Sequence, residues 1–514
     1  MSIAAESLPA VALAPLQTVF CPICGSDRVH YAFSIRHVRV LQCADCKFTA
    51  RTEPTTQLLD ATGAAAADRL AGTSGELHAL VHQLLPEKNR STRLRIADWR
   101  PDGSVTLVGK DTPAPEAEAA PPVVVSIGQL DAFQDPLPSL RALRARVGAT
   151  QPVVFFYSDI HQDGVEVGST EWERLASQRN AYIDTSTALT VLYRAGYRCL
   201  GVRRLRRRVS WQHFVAHPHD HTFVGRWRRR LLLLIPAAVR NRLPATAKTA
   251  ETAILAAPRV RETPLVSVVV PVFNEAPTVA KVLDSVLRVQ LAGAAVEIVI
   301  VESNSTDGSR EIVQRYAQHP RVTCIFEERP QGKGHATRLG LAKAQGDVLL
   351  IQDADLEYDI EDYLSLLNPI IRGHEAFVLG SRHGGRQHWK LRQFNKPFLA
   401  AFYNLAHVLV TGYINLLFGL NLRDPQTMFK VCRRDCVEGL VFHGNYFNFD
   451  YELLLKVVRK GYAPIEVPVN YRSRSHAEGK KIRMWRDAPL GLWMITKLRL
   501  TPLRRFLTIG EPIE

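Results

Sequence analysis

The feature that most constrains the fold is a strand–loop–helix pattern that recurs four times in the C-terminal half. Each unit starts with apolar, mostly β-branched residues, continues through a polar loop and ends with apolar residues at helical spacing. The units begin at LVSVVVPVFNEA, VEIVIVESNSTDG, VTCIFEERPQGKG and GDVLLIQDADLEYD. Consecutive units of this kind require a parallel sheet, whose ligands bind at the carboxyl ends of its strands. The pattern therefore predicts an α/β domain with its polar loops on one binding face.

The fourth unit ends in an acidic loop. Asp353 and Asp355 flank Ala354 directly after the apolar run. Two carboxylates at the end of a buried strand repel each other unless a cation neutralises them. An EF-hand would need glycine at the sixth loop position, where this chain has Tyr358. We therefore expect Mg²⁺ or Mn²⁺, held by one or two carboxylates together with substrate phosphates.

The first fifty residues contain two CxxC pairs, formed by Cys21 with Cys24 and by Cys43 with Cys46. VHYAF and VRVLQ, between the pairs, predict two short strands. This spacing is typical of a small zinc ribbon with four thiolate ligands, and such a closed site is structural and not catalytic. The alternative is a redox motif or a coincidence of two pairs. The other four cysteines follow no disulfide-like pattern, which suits a reducing cytoplasm.

The stretch that follows the ribbon predicts a partial second domain. Residues 123–205 alternate strand, helix, strand and helix, and this order resembles the C-terminal half of a class I methyltransferase. The glycine-rich loop that would bind the methyl donor should come before residue 123, where LLDATGAAAADRLAG is the nearest candidate. Because no strand pattern precedes that segment, we interpret the region as a degenerate methyltransferase-like remnant. Whether it binds anything stays open.

A chain of 514 residues is too long for one ordinary core. The domain organisation that we predict is a zinc ribbon (1–50), a weakly patterned region and linker (51–122), the methyltransferase-like remnant (123–205), a basic linker (206–258), the α/β domain that contains the four units (259–485) and an amphipathic tail (486–514).

The net charge of +15 and the pI near 9.5 indicate anionic partners. Much of the excess lies in two arginine-rich segments, RRLRRRVS and GRWRRRLLLLIP, within or beside the basic linker. The second segment suits either an anionic membrane surface or a linker with one buried turn. Nucleic acid is not expected, because aromatic residues do not interleave with these arginines. The N-terminus has no positive region typical of a signal peptide.

The C-terminal motifs, taken together, resemble a known family. VVVPVFNEAPTV, VESNSTDG, QGKGHA, GDVLLIQDADLEYD, LGSR, LRDPQTMFK, FNFDYELLLK and VPVNYRSRSHAEGKKI occur in the order seen in inverting family 2 glycosyltransferases. They are most similar to the dolichol- and polyprenyl-phosphate mannose synthase branch, over roughly residues 264–485. The resemblance implies a Rossmann-like GT-A fold, with a mostly parallel sheet, that binds a nucleotide sugar with a divalent metal.

The resemblance also implies roles for individual residues. Asp353 and Asp355 match the pair that holds metal and diphosphate, and Glu357 stands where the branch commonly has a glutamine on the metal side. Ser303 and Asn304 replace an acid and a glycine of the family pattern, so the identity of the nucleobase in the donor stays open. The positions on the nucleotide side are Pro271, Asn274, Glu275, Glu302, Lys333 and Asp353. The basic positions near the acceptor phosphate are Arg472, Arg474, Lys480 and Lys481, and the catalytic set is Asp353, Asp355, Arg382, Asp450 and Arg474.

The acceptor decides whether a base is required. A hydroxyl must lose a proton, and Asp450 and Glu452 stand where related enzymes that glycosylate hydroxyls keep that base. A lipid phosphate is already ionised and needs positioning and charge screening, which the basic cluster YRSRSHAEGKKIRMWRD offers. We therefore expect transfer of a hexose from GDP-mannose or UDP-glucose to polyprenyl or dolichyl phosphate. The alternatives are a hydroxyl acceptor on a polysaccharide or glycolipid, and a scaffold or regulatory protein that uses the N-terminal half.

A lipid acceptor should leave a membrane signature. Residues 396–420 form an apolar segment long enough to span a bilayer. Asn404, His407, Thr411 and Asn415 form a polar stripe along it, which favours a helix at the membrane interface. We expect peripheral or monotopic attachment to the cytoplasmic face of the membrane, and the alternative is a helix pair that caps the sheet of a soluble enzyme. A homo-oligomer stays open.

Overall fold

The structure is a computed structural model and describes residues 20–35, 38–51, 94–99, 105–108, 123–130, 135–147, 151–158, 181–209, 245–383, 397–446, 448–472 and 484–501. The strands of these residues are β1 (Val29–Ile35), β2 (Val38–Cys43), β3 (Thr49–Arg51), β4 (Leu94–Trp99), β5 (Val105–Val108), β6 (Val123–Gln129), β7 (Val153–Ser158), β8 (Ala181–Tyr182), β9 (Tyr197–Val209), β10 (Ala245–Pro258), β11 (Leu265–Val272), β12 (Ala295–Glu302), β13 (Val322–Phe326), β14 (Val348–Ile351), β15 (Phe377–Ser381), β16 (Lys430–Arg433) and β17 (Ile465–Pro468).

The helices of the described residues are α1 (Leu137–Val147), α2 (Thr185–Arg194), α3 (Val279–Arg288), α4 (Ser309–Tyr316), α5 (Lys333–Lys343), α6 (Tyr363–Ile371), α7 (Pro397–Phe418), α8 (Arg434–Val437), α9 (Asn448–Lys460) and α10 (Met484–Leu500). A short 3₁₀ helix, Ile360–Asp362, precedes α6.

The C-terminal half is built on a seven-stranded sheet with the order β13-β12-β11-β14-β16-β15-β17. The four predicted units form its first four strands, and β11 pairs in parallel with β12 and with β14. The side chains of β11, β12 and β14 are buried almost throughout, because helices cover both faces of a parallel sheet, whereas those of the edge strand β13 are mostly half-buried. Strand β16 runs antiparallel to β14 and β15. The predicted mostly parallel α/β fold of this half is confirmed.

The N-terminal half contains two further sheets. The first has the order β1-β2-β3-β8, and the second has the order β5-β4-β6-β7-β10-β9. The hairpin between the two cysteine pairs is formed by β1 and β2, in register from Val29 opposite Cys43. The predicted strands and helices of 123–205 are present as β6, α1, β7, β8, α2 and the start of β9. The likeness of residues 123–205 to a methyltransferase stays a prediction, and LLDATGAAAADRLAG lies outside the described residues.

Strands and helices of the structure cross several of the predicted domain boundaries, which stay predictions. The region 51–122 contributes β4 and β5 to the six-stranded sheet, and the predicted linker 206–258 ends in β10, which lies between β7 and β9. The boundary after residue 205 falls inside β9, and the one after 485 falls inside α10. The part of β10 from Thr252 to Ala257 is buried because both of its edges are paired. Its Ala- and Thr-rich sequence carries little of the apolar signal that a central strand normally shows.

Helix α7 turns its polar stripe towards the protein. Asn404, His407 and Thr411 are buried, whereas Leu409 is 64% and Leu416 is 81% exposed. Helix α10 packs beside α7, where the hydroxyls of Tyr413 and Thr496 lie 2.8 Å apart. It adds further exposed apolar side chains, namely Leu492, Trp493 and Leu500. In the part of the chain that the structure describes, no helix combines the length and apolarity needed to cross a bilayer.

Candidate active site

The site lies at the carboxyl ends of β11, β12 and β14, where the loops are tied to one another. Asn274 adopts a left-handed backbone with φ of 50°. Its amide N–H donates to Ser305 Oγ (2.9 Å), and its side-chain oxygen accepts from the Thr306 amide (2.9 Å). Thr278 donates from Oγ1 to the Ala354 carbonyl (2.9 Å), between the two aspartates of the acidic loop. Loop residues far apart in sequence therefore form one rigid rim.

The acidic loop is bound by a lysine from another unit. Lys333 Nζ lies 2.5 Å from Asp353 Oδ1, and both side chains are mostly buried. Burial alone would lower the pKa of Lys333, but Asp353 and Asp450 together raise it. Lys333 is therefore charged, and it supplies the positive partner that two neighbouring carboxylates require.

The second half of the acidic loop is held by the segment that follows β17. Asp355 Oδ1 accepts from the Glu357 amide (3.0 Å), and Glu357 Oε2 accepts from the Tyr471 hydroxyl (2.9 Å). The Arg472 amide donates to the Glu357 carbonyl (2.9 Å). The predicted basic cluster therefore starts beside the acidic loop. Its members Arg474, Lys480 and Lys481 lie outside the described residues.

Lys333 is positioned by close backbone packing at the start of α5. A Cβ atom on Gly334 would lie 2.6 Å from the Gly444 carbonyl oxygen, and one on Gly332 would lie 2.3 Å from the Asn445 carbonyl oxygen. The Gly332 backbone also has φ of 106°. Only glycine fits at either side of Lys333 without displacing the neighbouring loop.

Asp450, at the start of α9, faces Lys333 and Lys430. Asp450 Oδ1 lies 3.9 Å from Lys430 Nζ, and it is buried without a hydrogen-bond partner among the described residues. Burial raises the pKa of this carboxyl, although Lys430 and Lys333 oppose the shift. Burial lowers the pKa of Lys430, which also donates to the Thr427 carbonyl. Lys333, Asp353, Lys430 and Asp450 thus form an alternating cluster of charges.

Glu452, two residues further along α9, has a different surrounding. Its carboxylate accepts from the amides of His443 (3.0 Å) and Gly444 (2.7 Å) and pairs with Lys456 Nζ at 2.5 Å. These bonds fix the loop against which α5 packs. Glu452 therefore stabilises the loop at His443 and Gly444, outside the charged cluster. Asp450 is the carboxylate of α9 that faces the charged cluster.

Arg382 directly follows β15 and forms an ion pair with Asp424, which is buried. Its Nε and Nη2 donate to the two oxygens of Asp424 at 2.8 and 2.7 Å, and its amide donates to Asp424 at 2.9 Å. Although burial alone would raise the pKa of Asp424, the Arg382 guanidinium lowers it well below the usual range. The guanidinium also lies over the Tyr471 ring, 5.3 Å from its centroid. Arg382 thus joins the Asp424 loop to the acidic loop through Tyr471.

Glu302, predicted to lie on the nucleotide side of the site, is completely buried. Its Oε1 accepts from the Ser305 amide (2.7 Å), and Oε2 lies 3.3 Å from Arg310 Nη1. Further polar groups, mostly buried, lie beside it. Ser303 Oγ donates to Glu327 Oε2 (2.5 Å), and His335 Nδ1 lies 2.7 Å from Glu327 Oε1. Roles for Glu327 and His335 were not predicted from the sequence; the available signal was the EERP segment after β13, which begins with Glu327, and the histidine that follows GKG.

The predicted metal ligands differ in how closely they converge. The Sγ atoms of Cys21, Cys24, Cys43 and Cys46 all lie within 4.8 Å of one another. They are the one group of three or more potential ligands that converges in this way within the described ranges. Asp353, Asp355 and Glu357 do not form such a group. Their oxygens are hard donors that suit Mg²⁺ or Mn²⁺ with substrate phosphates as the remaining ligands, whereas four thiolates suit Zn²⁺.

Pro271 completes the set of predicted positions: it lies in β11 opposite Val301 of β12. Glu275 follows Asn274 in the same loop, and its amide donates to Ser309 Oγ (2.8 Å). The structure therefore brings Pro271, Asn274, Glu275, Lys333, Asp353, Asp355, Glu357, Arg382, Asp450 and Arg472 to one edge of the sheet, and turns Glu302 inward.

Comparison with known proteins gives the domain a family. Residues 267–440 match the model of glycosyl transferase family 2. An undecaprenyl-phosphate 4-deoxy-4-formamido-L-arabinose transferase of Edwardsiella ictaluri is 27% identical over 252 residues, which cover 48% of this chain and 72% of that protein. A dolichol-phosphate mannosyltransferase of Pyrococcus furiosus is 29% identical over 218 residues, which cover 42% of this chain and 58% of that protein.

Among solved structures, a glucosyl-3-phosphoglycerate synthase of Mycobacterium tuberculosis in complex with UDP is similar to this chain, with 19% sequence identity and a TM-score of 0.36. The match covers 46% of this chain and 81% of that one.

Proposed function

We propose, since residues 267–440 belong to glycosyl transferase family 2, that the chain transfers a hexose from a nucleotide sugar to a polyprenyl phosphate. The observation that carries the proposal is the charged cluster at the strand ends, where Lys333 pairs with Asp353 and Lys430 lies beside Asp450. This arrangement provides carboxylates for a cation and ammonium groups for phosphates, and both belong to the chemistry of diphosphate leaving groups.

In this proposal Asp353 and Asp355 hold Mg²⁺ or Mn²⁺, with Glu357 beside them. The bound ion would neutralise charge that develops on the departing diphosphate. Lys333 is placed to contact the same diphosphate, because its Nζ already lies 2.5 Å from Asp353. The Asn274 and Glu275 loop lies at the same edge and is available to the nucleoside.

The acceptor step needs no proton transfer when the nucleophile is a phosphate. An oxygen of the lipid phosphate attacks the anomeric carbon, the bond from that carbon to the diphosphate breaks, and the nucleoside diphosphate leaves with the electron pair. Attack from the opposite side inverts the anomeric configuration. Arg472 and the basic residues Arg474, Lys480 and Lys481 are proposed to bind the acceptor phosphate. Arg382, which pairs with Asp424, is proposed to shape this side of the site.

A hydroxyl acceptor is the second candidate, and one observation favours it. Asp450 is buried with a raised pKa and has an oxygen without a hydrogen-bond partner among the described residues. A carboxylate in such a setting is a stronger base than an exposed one. In the phosphate mechanism the same carboxylate orients Lys333 and Lys430 and removes no proton.

The apolar faces of α7 and α10 support attachment to a membrane. Leu409 and Leu416 of α7 and Trp493 of α10 are more than half exposed. Lys497 Nζ lies 4.6 Å from the centre of the Trp493 ring, so a positive charge accompanies this apolar surface. We propose that the surface rests on the cytoplasmic leaflet, with the site open towards it. The four cysteines are proposed to hold a structural Zn²⁺.

The experiment is a transfer assay with the purified chain. Labelled GDP-mannose and UDP-glucose are offered separately with Mn²⁺ and a polyprenyl phosphate, and label in the organic phase is counted. Asp353→Asn is compared with Asp359→Asn, which changes an exposed carboxylate of the same loop. The proposal requires lipid-bound label with one donor, lost in Asp353→Asn and kept in Asp359→Asn. No lipid label with any common donor would contradict it.

A further inference from the structure

We propose that the four-cysteine unit (residues 20–51) is a fixed brace of the transferase half, the C-terminal half that is built on the seven-stranded sheet. Metal bound to the four cysteines would maintain the conformation of the turn at residues 372–375. The connection is Arg194, the last residue of α2. Its guanidinium donates to the carbonyl of Ile23 (2.8 Å) in the four-cysteine unit, and to the carbonyls of Gly373 (3.0 Å) and Arg372 (2.5 Å) in the transferase half. One side chain thus joins three separate parts of the fold.

Ile23 lies inside the metal-binding turn itself. It stands between Cys21 and Cys24, and it is 2% exposed. The turn is closed by backbone hydrogen bonds from Gly25 to the Cys21 carbonyl and from Cys21 to the Ser26 carbonyl, both 2.8 Å long. Four thiolates around one ion fix the course of such a turn, and the Ile23 carbonyl is therefore placed by metal binding.

The opposite end of the connection is a tight turn between α6 and β15. Gly373 has φ of 68°, and its amide donates to the Ile370 carbonyl (2.9 Å). A Cβ atom at this glycine would lie 3.1 Å from Arg194 Cγ, so the turn and the arginine are closely packed. The elements on either side of this turn lead to the active site. Helix α6 follows the acidic loop, and β15 runs directly into Arg382.

The interface continues beyond Arg194. The Tyr193 ring lies between two guanidinium groups of the transferase side, those of Arg259 and Arg433, each 4.3 Å from the ring centroid. Arg198 pairs with Glu438 at 2.8 Å. The buried apolar residues around Cys21 and Cys46 belong to one cluster with those of the seven-stranded sheet. A module held only by a linker would not share a buried apolar cluster with the neighbouring domain.

Strand pairing fixes the four-cysteine unit from its other side. Strand β3 pairs with β8, with Thr49 opposite Tyr182 and Ala50 opposite Ala181. Strand β8 leads directly into α2, whose first turn is capped by Asp184. The unit is therefore attached to both ends of the segment 181–194. Loss of metal would loosen this segment and, through Arg194, the turn at 372–375.

The test is hydrogen exchange and thermal unfolding of the full chain. Cys21→Ser/Cys24→Ser and Arg194→Ala are compared with Cys324→Ser, a cysteine outside the four-cysteine unit, and with Arg146→Ala, an exposed arginine of α1. Loss of one hydrogen bond between a charged donor and a carbonyl corresponds to about a tenfold change in an opening equilibrium. We therefore expect exchange in peptides spanning 369–381 to rise by about tenfold or more in the first two variants and to stay unchanged in the controls.

A measurement on the unmodified chain covers the case in which the cysteine variant does not fold. Zinc is withdrawn with a chelator, exchange is measured in the absence of Mn²⁺, and zinc is then added back. Faster exchange at 369–381 that added zinc reverses would support the brace. Faster exchange restricted to residues 20–51, with the 369–381 peptides and the unfolding temperature of the transferase half unchanged, would overturn it.

Discussion

Lys333 and Asp353 form an ion pair of 2.5 Å across the carboxyl edge of the sheet, although they belong to different strand–loop–helix units. Lys333 follows the loop after β13, and Asp353 follows β14. Because Asp450 also raises the pKa of Lys333, the lysine is the positive centre of a mostly acidic cluster. In the proposed mechanism it lies beside Asp353, next to the bound metal and diphosphate.

Removal of this lysine should separate metal binding from turnover. In Lys333→Met, Asp353 and Asp355 lose their neutralising partner and attract a divalent cation more strongly, while the diphosphate loses a contact. We expect the Mn²⁺ concentration for half-maximal activity to fall and the transfer rate to drop by about 10- to 100-fold. Lys343→Met, an exposed lysine in the last turn of α5, is the control and should change neither quantity. An unchanged rate in Lys333→Met would contradict the proposed contact.

Asp450→Asn should distinguish the two acceptor classes. The asparagine keeps the size of the side chain but is not a base. Transfer to a lipid phosphate should fall by no more than about tenfold, because the acceptor is already ionised. Transfer to a hydroxyl should fall by 100-fold or more, the usual contribution of a general base. A fall of 100-fold or more with the phosphate acceptor would show that Asp450 removes a proton, and would contradict the role of orienting Lys333 and Lys430.

The Arg382–Asp424 pair should be a large contributor to stability. Both side chains are buried, so Asp424→Asn leaves the guanidinium without its charged partner. We expect the free energy of unfolding in urea to fall by about 3–5 kcal/mol. Glu262→Gln, which changes an exposed carboxylate in the segment before β11, should shift it by less than about 0.5 kcal/mol. Equal effects of the two substitutions would contradict the buried pairing.

Because the His407 side chain is buried, we expect the stability of the fold to depend on pH. Burial lowers its pKa to about 4, helped by Arg382 and His383 and opposed by Asp424. The unfolded chain protonates this histidine near its ordinary pKa of 6.5, whereas the folded chain stays neutral until about pH 4. Stability is therefore complete above pH 6.5 and falls as the pH is lowered towards 4, by up to about 3 kcal/mol.

The control for this pH dependence is His407→Gln. The urea midpoint of the wild-type chain should drop between pH 6.5 and pH 4.5 more steeply than that of the variant. Parallel profiles for the two proteins would show that His407 titrates normally in the folded state.

The exposed leucines of α7 should govern membrane attachment. Leu409→Glu/Leu416→Glu places two negative charges on the apolar face, which should abolish flotation with vesicles that contain anionic phospholipid. Val260→Glu introduces a charge at a side chain that is 85% exposed and lies outside both helices. It should leave flotation intact. Vesicle binding that survives the double substitution would contradict the proposal that α7 and α10 attach the chain to the membrane.

The sequence predicts most of the transferase half because its signals are local. Strands β11, β12, β13 and β14 are apolar runs followed by polar loops, and the periodic helices between them require parallel pairing. The same argument places Asn274, Lys333 and Asp353 at one edge of the sheet. No contact needs to be known in advance, since the topology alone brings the carboxyl ends of these strands together.

What the sequence did not predict depends on long-range partners. Strand β10 lacks an apolar pattern, and its burial comes from pairing with β7 and β9. Glu302 turns inward because Ser305 and Arg310 bind it. Asp424 was overlooked, since nothing near it in sequence shows that Arg382 is its partner. The position of the four-cysteine unit on the transferase half rests on Arg194, whose three carbonyl partners are distant in sequence.

The most direct test of transfer to phosphate offers the purified chain one lipid in two forms, a polyprenyl phosphate and the corresponding polyprenol, with the same labelled nucleotide sugar and Mn²⁺. We expect label on the phosphate and none on the alcohol, with an inverted anomeric configuration in the product. Label on the polyprenol, or equal label on both lipids, would contradict a site that acts on an ionised phosphate.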